Sequence, residues 1–160
     1  MTQTPKGTVM DRSRVLFLCT GNSCRSQMAE GWARHVHPHV LLAYSAGVVK
    51  QGVDPGAVKV MSEAGVDISG QRSKTIEELP EPEFDAVITL CDEARESCPF
   101  FRGAKQRLHR TFHDPAALAP GSPDEGSALQ VYRRVRDEIR DFVQQKPHEL
   151  LLAPEACPYV

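Results

Sequence analysis

The feature that most constrains this chain is a stretch near its beginning, residues 16–33, with the sequence LFLCTGNSCRSQMAEGWA. Residues 14–19 form an apolar run of strand type that ends on Cys19, and a loop of small and polar residues follows. From Ser26 to about Val36, apolar residues recur at helical spacing. A strand, a tight loop and a helix in this order predict a β-α unit with Cys19 at the carboxyl end of its strand.

The rest of the chain repeats this alternation of strands and helices. Three further apolar runs are typical of strands: residues 40–45, 84–90 and 106–112. Asp54 and Pro55 predict the start of a helix that Gly65 ends, and the capping-box pattern SPDE at residues 122–125 opens a longer helix to about residue 145. Strands that alternate with helices favour right-handed β-α-β connections. We therefore expect an α/β fold, a single domain with a four-stranded parallel sheet and helices on both faces.

Length, charge and hydropathy limit which other classes of protein this chain could belong to. The 160 residues suit one core, and we expect a flexible leader over residues 1–13, a domain over 14–146 and an irregular tail over 147–160. A net charge of −2 shows no bias towards nucleic acid or anionic membranes. No apolar run approaches the ~20 residues that span a bilayer, and the first residues lack the apolar core of a signal peptide. We expect a cytoplasmic monomer that binds neither nucleic acid nor membrane.

The chain has five cysteines, an odd number in a protein large enough to bury its own core. This count argues against a secreted disulfide scaffold and favours catalytic, redox-active or metal-binding thiols. Two of them end predicted strands, and ligands bind at the carboxyl ends of parallel strands. The five are Cys19, Cys24, Cys91, Cys98 and Cys157.

The loop after the first strand has the form C-x5-R-S and is suited to binding a tetrahedral oxyanion. Its backbone N–H groups can converge on one point, where the helix N-terminus adds partial positive charge. Arg25 supplies a bidentate fork, and the same positive field favours the thiolate form of Cys19, the candidate nucleophile. We expect Ser26 to hydrogen-bond that thiolate and Asn22 to hold the shape of the loop. The residues expected to bind substrate are Thr20, Gly21, Asn22, Ser23, Cys24, Arg25 and Ser26.

An in-line attack on such an anion must expel an oxygen, and the expelled oxygen needs a proton donor. Asp114 follows the fourth predicted strand, at the same edge of the sheet as the loop. Pro115 would stiffen the turn that carries it. We therefore expect Asp114 to act as the general acid.

Several segments together resemble a known family: CTGNSCRS, QMAEGWA, YSAG, VITLCDEARESCP and FHDPA. They resemble the thioredoxin-coupled arsenate reductases, which share the fold of the low molecular weight tyrosine phosphatases. The resemblance extends from about residue 14 to about residue 145, in matching order and spacing. It implies an enzyme of arsenic resistance that reduces arsenate to arsenite, with phosphate or sulfate as competing oxyanions.

The resemblance also implies a path for the electrons. Cys19 attacks arsenate, and Cys91 then attacks the adduct, so that arsenite leaves and a Cys19–Cys91 disulfide remains. Cys98 resolves this disulfide, and thioredoxin reduces the resulting Cys91–Cys98 pair. Each exchange needs access to the attacked sulfur, so we expect the polar segment 92–97 to be mobile and to rearrange.

Two other functions remain open. A low molecular weight tyrosine phosphatase needs only the first loop and the acid, and a reductase with both is expected to keep weak phosphatase activity. Phosphatases of this type usually carry aromatic side chains near the acid, where this chain has only Phe112. A structural zinc site made from the first four cysteines would leave Arg25 beside the ion with no role.

One position departs from the family. Some members hold a potassium ion near the anion loop, with ligands that correspond to Asn22, Glu30, Ser45 and an aspartate that would fall at Lys74. A lysine cannot bind a cation, but its ammonium can pair with Glu30 or extend into solvent. We expect no potassium dependence and no other cofactor.

Overall fold

The computed structural model of the protein describes residues 12–80, 83–91 and 104–145. The strands are Ser13–Cys19 (β1), Leu41–Gly47 (β2), Ala86–Thr89 (β3) and Arg107–His109 (β4). The α-helices are Arg25–Val36 (α1), Pro55–Glu63 (α2), Pro115–Leu118 (α3) and Glu125–Val143 (α4). Short 3-10 turns occupy Ile76–Glu78 and Ala119–Gly121.

Parts of the sequence-based expectations lie outside the described residues. These are most of the leader, the tail over 147–160, the segment 92–97, Cys98 and Cys157. Among the helices that are described, none combines the length and the apolar character needed to cross a membrane.

The four strands form one parallel sheet in the order β2-β1-β3-β4. The predicted α/β fold with a four-stranded parallel sheet is confirmed. β1 is central and pairs with both neighbours, so that Leu18 lies opposite Ala46 on one side and Thr89 on the other. Residues 15–19 of this strand are buried, which explains why its sequence is a continuous apolar run and does not alternate. The order brings the carboxyl ends of β1 and β3 side by side.

Helix α4 contacts the other three helices and closes the core from one side. Its residues Val135 and Ile139 are fully buried, as are Phe17, Met28 and Ile88 from the strands and α1. Helix α2 begins as predicted, because the Asp54 side chain accepts a hydrogen bond from Gly56 N at 2.8 Å.

The predicted capping box at the start of α4 is wrong in its first residue. Asp124 is the N-cap and accepts from Ser127 N at 2.7 Å. Ser122 instead closes the preceding 3-10 turn, since its N–H donates to Ala119 O at 2.9 Å. The N-cap of α4 is therefore two residues later than predicted, at a carboxylate that accepts a hydrogen bond from the first turn of the helix.

The predicted strand over residues 106–112 is confirmed only over Arg107–His109. Beyond it the chain still runs beside the continuation of β3, because Arg110 N donates to Thr89 O and Phe112 N donates to Leu90 O. This pairing brings the Phe112 carbonyl, and Asp114 after it, to the carboxyl edge of the sheet.

Candidate active site

The C-x5-R-S loop lines a pocket of about 160 Å³ at the end of β1. Cys19 is the last residue of this strand, and Cys24 precedes α1 without a side-chain hydrogen bond to cap the helix. The first N–H groups of a helix have no partner within the helix and can bind an anion. The pocket is lined by Cys19, Thr20, Gly21, Ser23, Cys24, Arg25, Gln51, Asp114 and Ala116.

Asn22 fixes the conformation of the loop. It is fully buried and has a φ of 49°, a left-handed conformation that asparagine adopts more readily than most residues. Its Oδ1 accepts from Lys74 N at 2.8 Å and from Gln27 Nε2 at 3.0 Å. Because a backbone N–H is only a donor, this contact fixes the amide orientation and directs Nδ2 to Ser26 Oγ at 2.8 Å. The expectation that Asn22 holds the loop agrees with these contacts.

Ser26 links this network to the candidate nucleophile. Its Oγ lies 2.9 Å from Cys19 Sγ, and both side chains are buried. Ser26 Oγ already accepts a hydrogen bond from Asn22, so its own O–H is available to donate to sulfur. A donor at this distance stabilises a thiolate more than a thiol.

Arg25 is the first residue of α1, and its side chain lines the pocket. Its Nη1 donates to Phe112 O at 3.2 Å, and its Nη2 lies 3.5 Å from Asp114 Oδ2. Its Nε is buried and, among the residues that the structure describes, has no hydrogen-bond partner. A buried guanidinium with an unused donor at a pocket wall is suited to bind an oxyanion.

Asp114 is held in two ways beside Arg25. It caps the short helix α3, with Oδ1 accepting from Ala116 N at 3.0 Å, while Oδ2 faces the guanidinium. The side chain is 37% exposed, so it reaches both pocket and solvent. A carboxyl group in this place can deliver a proton to a group bound in the pocket.

Cys91 reaches the same loop from the end of β3. Its Sγ lies 3.2 Å from Thr20 Oγ1, and the residue is 6% exposed. Cys19 and Cys24 are free thiols. The pocket thus brings Cys19, Arg25 and Asp114 together, and Cys91 contacts Thr20 of the same loop, while Cys98 lies outside the described residues.

The comparisons with known proteins assign this arrangement to a family. Residues 14–151 match the family model described as low molecular weight phosphotyrosine protein phosphatase. The chain belongs to this family. The resemblance to this family, predicted from the loop and the downstream segments, is therefore confirmed.

Within the family, the chain is similar to arsenate reductases. One from Halalkalibacterium halodurans is 49% identical over 130 residues, which cover 81% of this chain and 91% of the relative. One from Bacillus subtilis is 46% identical over 136 residues, which cover 85% and 96%. The solved structure of an arsenate reductase in the phosphate binding state aligns with a TM-score of 0.70 at 33% identity, covering 87% of this chain and 96% of that one.

The second loop cysteine differs from the first. Cys24 is 3% exposed, and burial raises the pKa of its thiol well above the ordinary value. The charges of Asp54, Asp114 and Cys19 act in the same direction, while Arg25 opposes them. Cys24 is therefore a neutral thiol at physiological pH, in keeping with a packing role.

Lys74 lies beside the buried carboxylate of Glu30. Its Nζ is 4.0 Å from Glu30 Oε1 and 2.9 Å from Arg72 O, and its side chain is only 11% exposed. Arg34 contacts the other oxygen of Glu30 at 2.6 Å, and Ser45 Oγ donates to Oε1. Burial lowers the pKa of Lys74, although Glu30 opposes this shift. Of the two sequence interpretations of Lys74, the structure matches the one in which it pairs with Glu30.

Sequence reasoning missed three glutamines around the loop. Gln27 is fully buried, and its Nε2 lies 3.0 Å from Asn22 O, Asn22 Oδ1 and Arg72 O. Gln71 Nε2 donates to Gln27 Oε1 at 2.7 Å, and Gln51 lines the pocket. For Gln27 the available signal was a polar residue at a helix position next to apolar ones, which is too common to be informative, and Gln51 and Gln71 lie outside helices and strands and gave no signal.

Proposed function

We propose that this protein reduces arsenate to arsenite, with Cys19, Cys91 and Cys98 passing the oxidation outwards to thioredoxin. The observation that carries the proposal is the contact of Cys91 with Thr20 at the rim of the anion pocket. A hydrolase of this family needs the loop and the acid but has no use for a second thiol there. The similarity to arsenate reductases supports the same reaction.

In the first step, the Cys19 thiolate attacks arsenic(V) bound by the loop N–H groups and Arg25. Asp114 gives its proton to the oxygen that leaves as water. A covalent Cys19–arsenic(V) adduct remains, and Ser26 no longer needs to stabilise a charged sulfur.

In the second step, the thiolate of Cys91 attacks the sulfur of Cys19. The sulfur–arsenic bond breaks, and its electron pair stays on arsenic, which becomes arsenic(III) and leaves as arsenite. The two thiols have lost two electrons and form the Cys19–Cys91 disulfide. Cys98 then attacks Cys91 and releases the Cys19 thiolate, and a thioredoxin dithiol reduces the Cys91–Cys98 disulfide.

No potassium ion is required in this proposal, and no other cofactor. The carboxylate of Glu30 already faces the cationic groups of Arg34 and Lys74. The Asn22 oxygen, a potassium ligand in some relatives, accepts two hydrogen bonds within the chain. Turnover is expected to be the same in sodium and potassium salts of equal ionic strength. Clearly faster turnover in the potassium salt would contradict the expectation that no potassium ion is required.

The alternative activity is hydrolysis of phosphate esters, as in the tyrosine phosphatases that give the family its name. The loop and Asp114 suit both reactions, so weak hydrolysis is expected. Among the described residues, those that line the pocket include no aromatic side chain that could hold a phenyl ring. This composition favours an inorganic oxyanion over a phosphotyrosine.

The test is arsenate-dependent oxidation of NADPH by the protein together with thioredoxin and thioredoxin reductase. The wild-type chain should turn over steadily, and Cys98→Ser should give at most one equivalent of arsenite. Cys157→Ser is the matched control and should behave as wild type. Absence of arsenate-dependent oxidation, together with vigorous hydrolysis of p-nitrophenyl phosphate, would identify a phosphatase instead.

A further inference from the structure

The entrance of the anion pocket is formed by two separate segments. Outside the loop, the described residues that line the pocket are Asp114 and Ala116 on one segment and Gln51, after β2, on the other. Ala116 is small and leaves space. Gln51 is the long side chain at this entrance that the chemistry described above does not use.

Three backbone hydrogen bonds join the segment that carries Gln51 to the anion loop. Val48 N donates to Cys19 O, Val49 N to Thr20 O and Gln51 N to Gly21 O, at 3.0 to 3.3 Å. These bonds hold the segment in register with the loop. The position of Gln51 is therefore set by the same backbone that shapes the pocket.

The side chain of Gln51 lies over Gly21. A Cβ atom placed on Gly21 would clash with Gln51 Oε1, Cδ and Cγ, so the two residues are in close contact and a side chain at position 21 would displace the Gln51 amide. Gln51 itself is exposed on its outer side. Its amide thus covers one side of the entrance without being part of the core.

We infer that Gln51 is a specificity-determining residue that narrows the entrance and selects inorganic oxyanions over organic phosphate esters. The inference rests on the proposed oxyanion site and deepens it. A free oxyanion presents a small oxygen to the entrance, whereas an ester or phosphonate presents a bulky group that must displace the amide. Because the amide is uncharged, it does not repel the anion itself.

The test compares the affinities of inorganic phosphate and phenylphosphonate, which the enzyme cannot hydrolyse, by calorimetry on the full chain. In Gln51→Ala the preference for phosphate over phenylphosphonate should fall about tenfold, the size expected when a small steric barrier is removed from a binding pocket. Phosphate affinity alone should change less than about threefold, since the loop and Arg25 remain. An unchanged preference would overturn the inference.

Two variants make the outcome specific. Lys50→Ala is the matched control, because Lys50 Nζ pairs with Glu78 at 2.6 Å and does not line the pocket. It should leave both affinities as in wild type, and the same loss of preference in this variant would overturn the inference. Gln51→Glu should weaken phosphate binding by about tenfold through repulsion at the entrance, and wild-type affinity in this variant would also overturn it.

These measurements use neither arsenate nor thioredoxin. If arsenate reduction fails while the preference changes as expected, the proposed reaction is wrong but Gln51 still selects the ligand. If reduction proceeds and the preference stays constant, only the inference about Gln51 is wrong.

Discussion

Thr20 Oγ1 and Cys91 Sγ lie 3.2 Å apart, and this contact joins the first residue of the anion loop to the end of β3. Thr20, which carries the hydroxyl, directly follows Cys19 in the loop. A hydrogen bond between these two side chains holds Cys91 towards the loop, and the Thr20 hydroxyl can donate to the sulfur when it reacts as a thiolate. In the proposed mechanism, Cys91 must attack as a thiolate at this place.

Replacing Thr20 by valine keeps the shape of the side chain and removes the hydroxyl. We expect formation of the Cys19–Cys91 disulfide to slow by about fivefold, which corresponds to a hydrogen bond of ~1 kcal/mol. The rate can be measured by rapid quench in a Cys98→Ser background during a single arsenate turnover. Thr20→Ser keeps the hydroxyl and should retain the wild-type rate. Equal rates in the valine and serine variants would contradict the role of the contact.

Gln27 should be important for stability. Leucine in its place would leave Asn22 O, Arg72 O and the Gln71 amide without their partner in a buried environment. We expect Gln27→Leu to lower the free energy of unfolding by about 1–3 kcal/mol, the usual cost of unsatisfied buried polar groups. Urea denaturation measures this change.

Gln145→Leu is the control for that experiment, because Gln145 is exposed just after α4. Its stability should stay close to wild type. A loss in Gln145→Leu as large as that in Gln27→Leu would show that the hydrogen-bond network around Asn22 is not the cause.

Cys24 should resist alkylation. Its raised pKa keeps the thiol protonated, so that the reactive thiolate is scarce until the pH rises above the ordinary value for cysteine of 9.0. Labelling with iodoacetamide, read by peptide mass spectrometry, should be much slower at Cys24 in the folded protein than in protein unfolded in guanidinium chloride. Equal labelling rates in the two states at neutral pH would contradict the assignment.

Glu63 should contribute to stability in a pH-dependent way. Arg133 donates to both of its oxygens, at 2.8 and 3.0 Å, and these bonds lower the pKa of Glu63 below its ordinary value of 4.5. The unfolded chain therefore binds the proton more readily than the folded one. The contribution is present above pH 4.5 and is lost as the pH falls through the lowered pKa.

The variant Glu63→Gln tests this link between α2 and α4. It should be slightly less stable than wild type at pH 7, and the two thermal unfolding curves should converge in acid. A stability difference that stays constant from pH 7 to about pH 2 would show that the charge on Glu63 does not matter.

Much of the fold follows from local patterns. The apolar runs predicted all four strands, and Asp54 with Pro55 predicted the start of α2. The loop motif also predicted the contacts of Ser26 and Asn22 with useful accuracy. These features depend on neighbours in sequence, or on a loop whose geometry is set by the strand and helix on either side.

The parts that sequence could not provide depend on distant packing. From the segment after α2, Lys74 reaches Asn22 of the anion loop and Gln71 reaches Gln27 of α1, and no pattern in either stretch indicates these contacts. The cap of α4 was misplaced because Ser122 and Asp124 both suit an N-cap, and only the preceding 3-10 turn decides between them. The Gln51 side chain became notable only once the pocket was formed.

The adjacency of β1 and β3 has a consequence for how such proteins can diverge. Parallel neighbours are held about 4.8 Å apart by their ladder of hydrogen bonds, and Leu18 lies opposite Thr89 in this ladder. The distance between the ends of β1 and β3 is thus fixed by backbone pairing, whatever the length of the connection between β2 and β3, and Cys91 lies two residues beyond the end of β3. Insertions or deletions at exposed turns of that connection, away from the residues that contact the anion loop, can therefore remodel the outer surface over evolutionary time while the pairing of β1 with β3 stays the same.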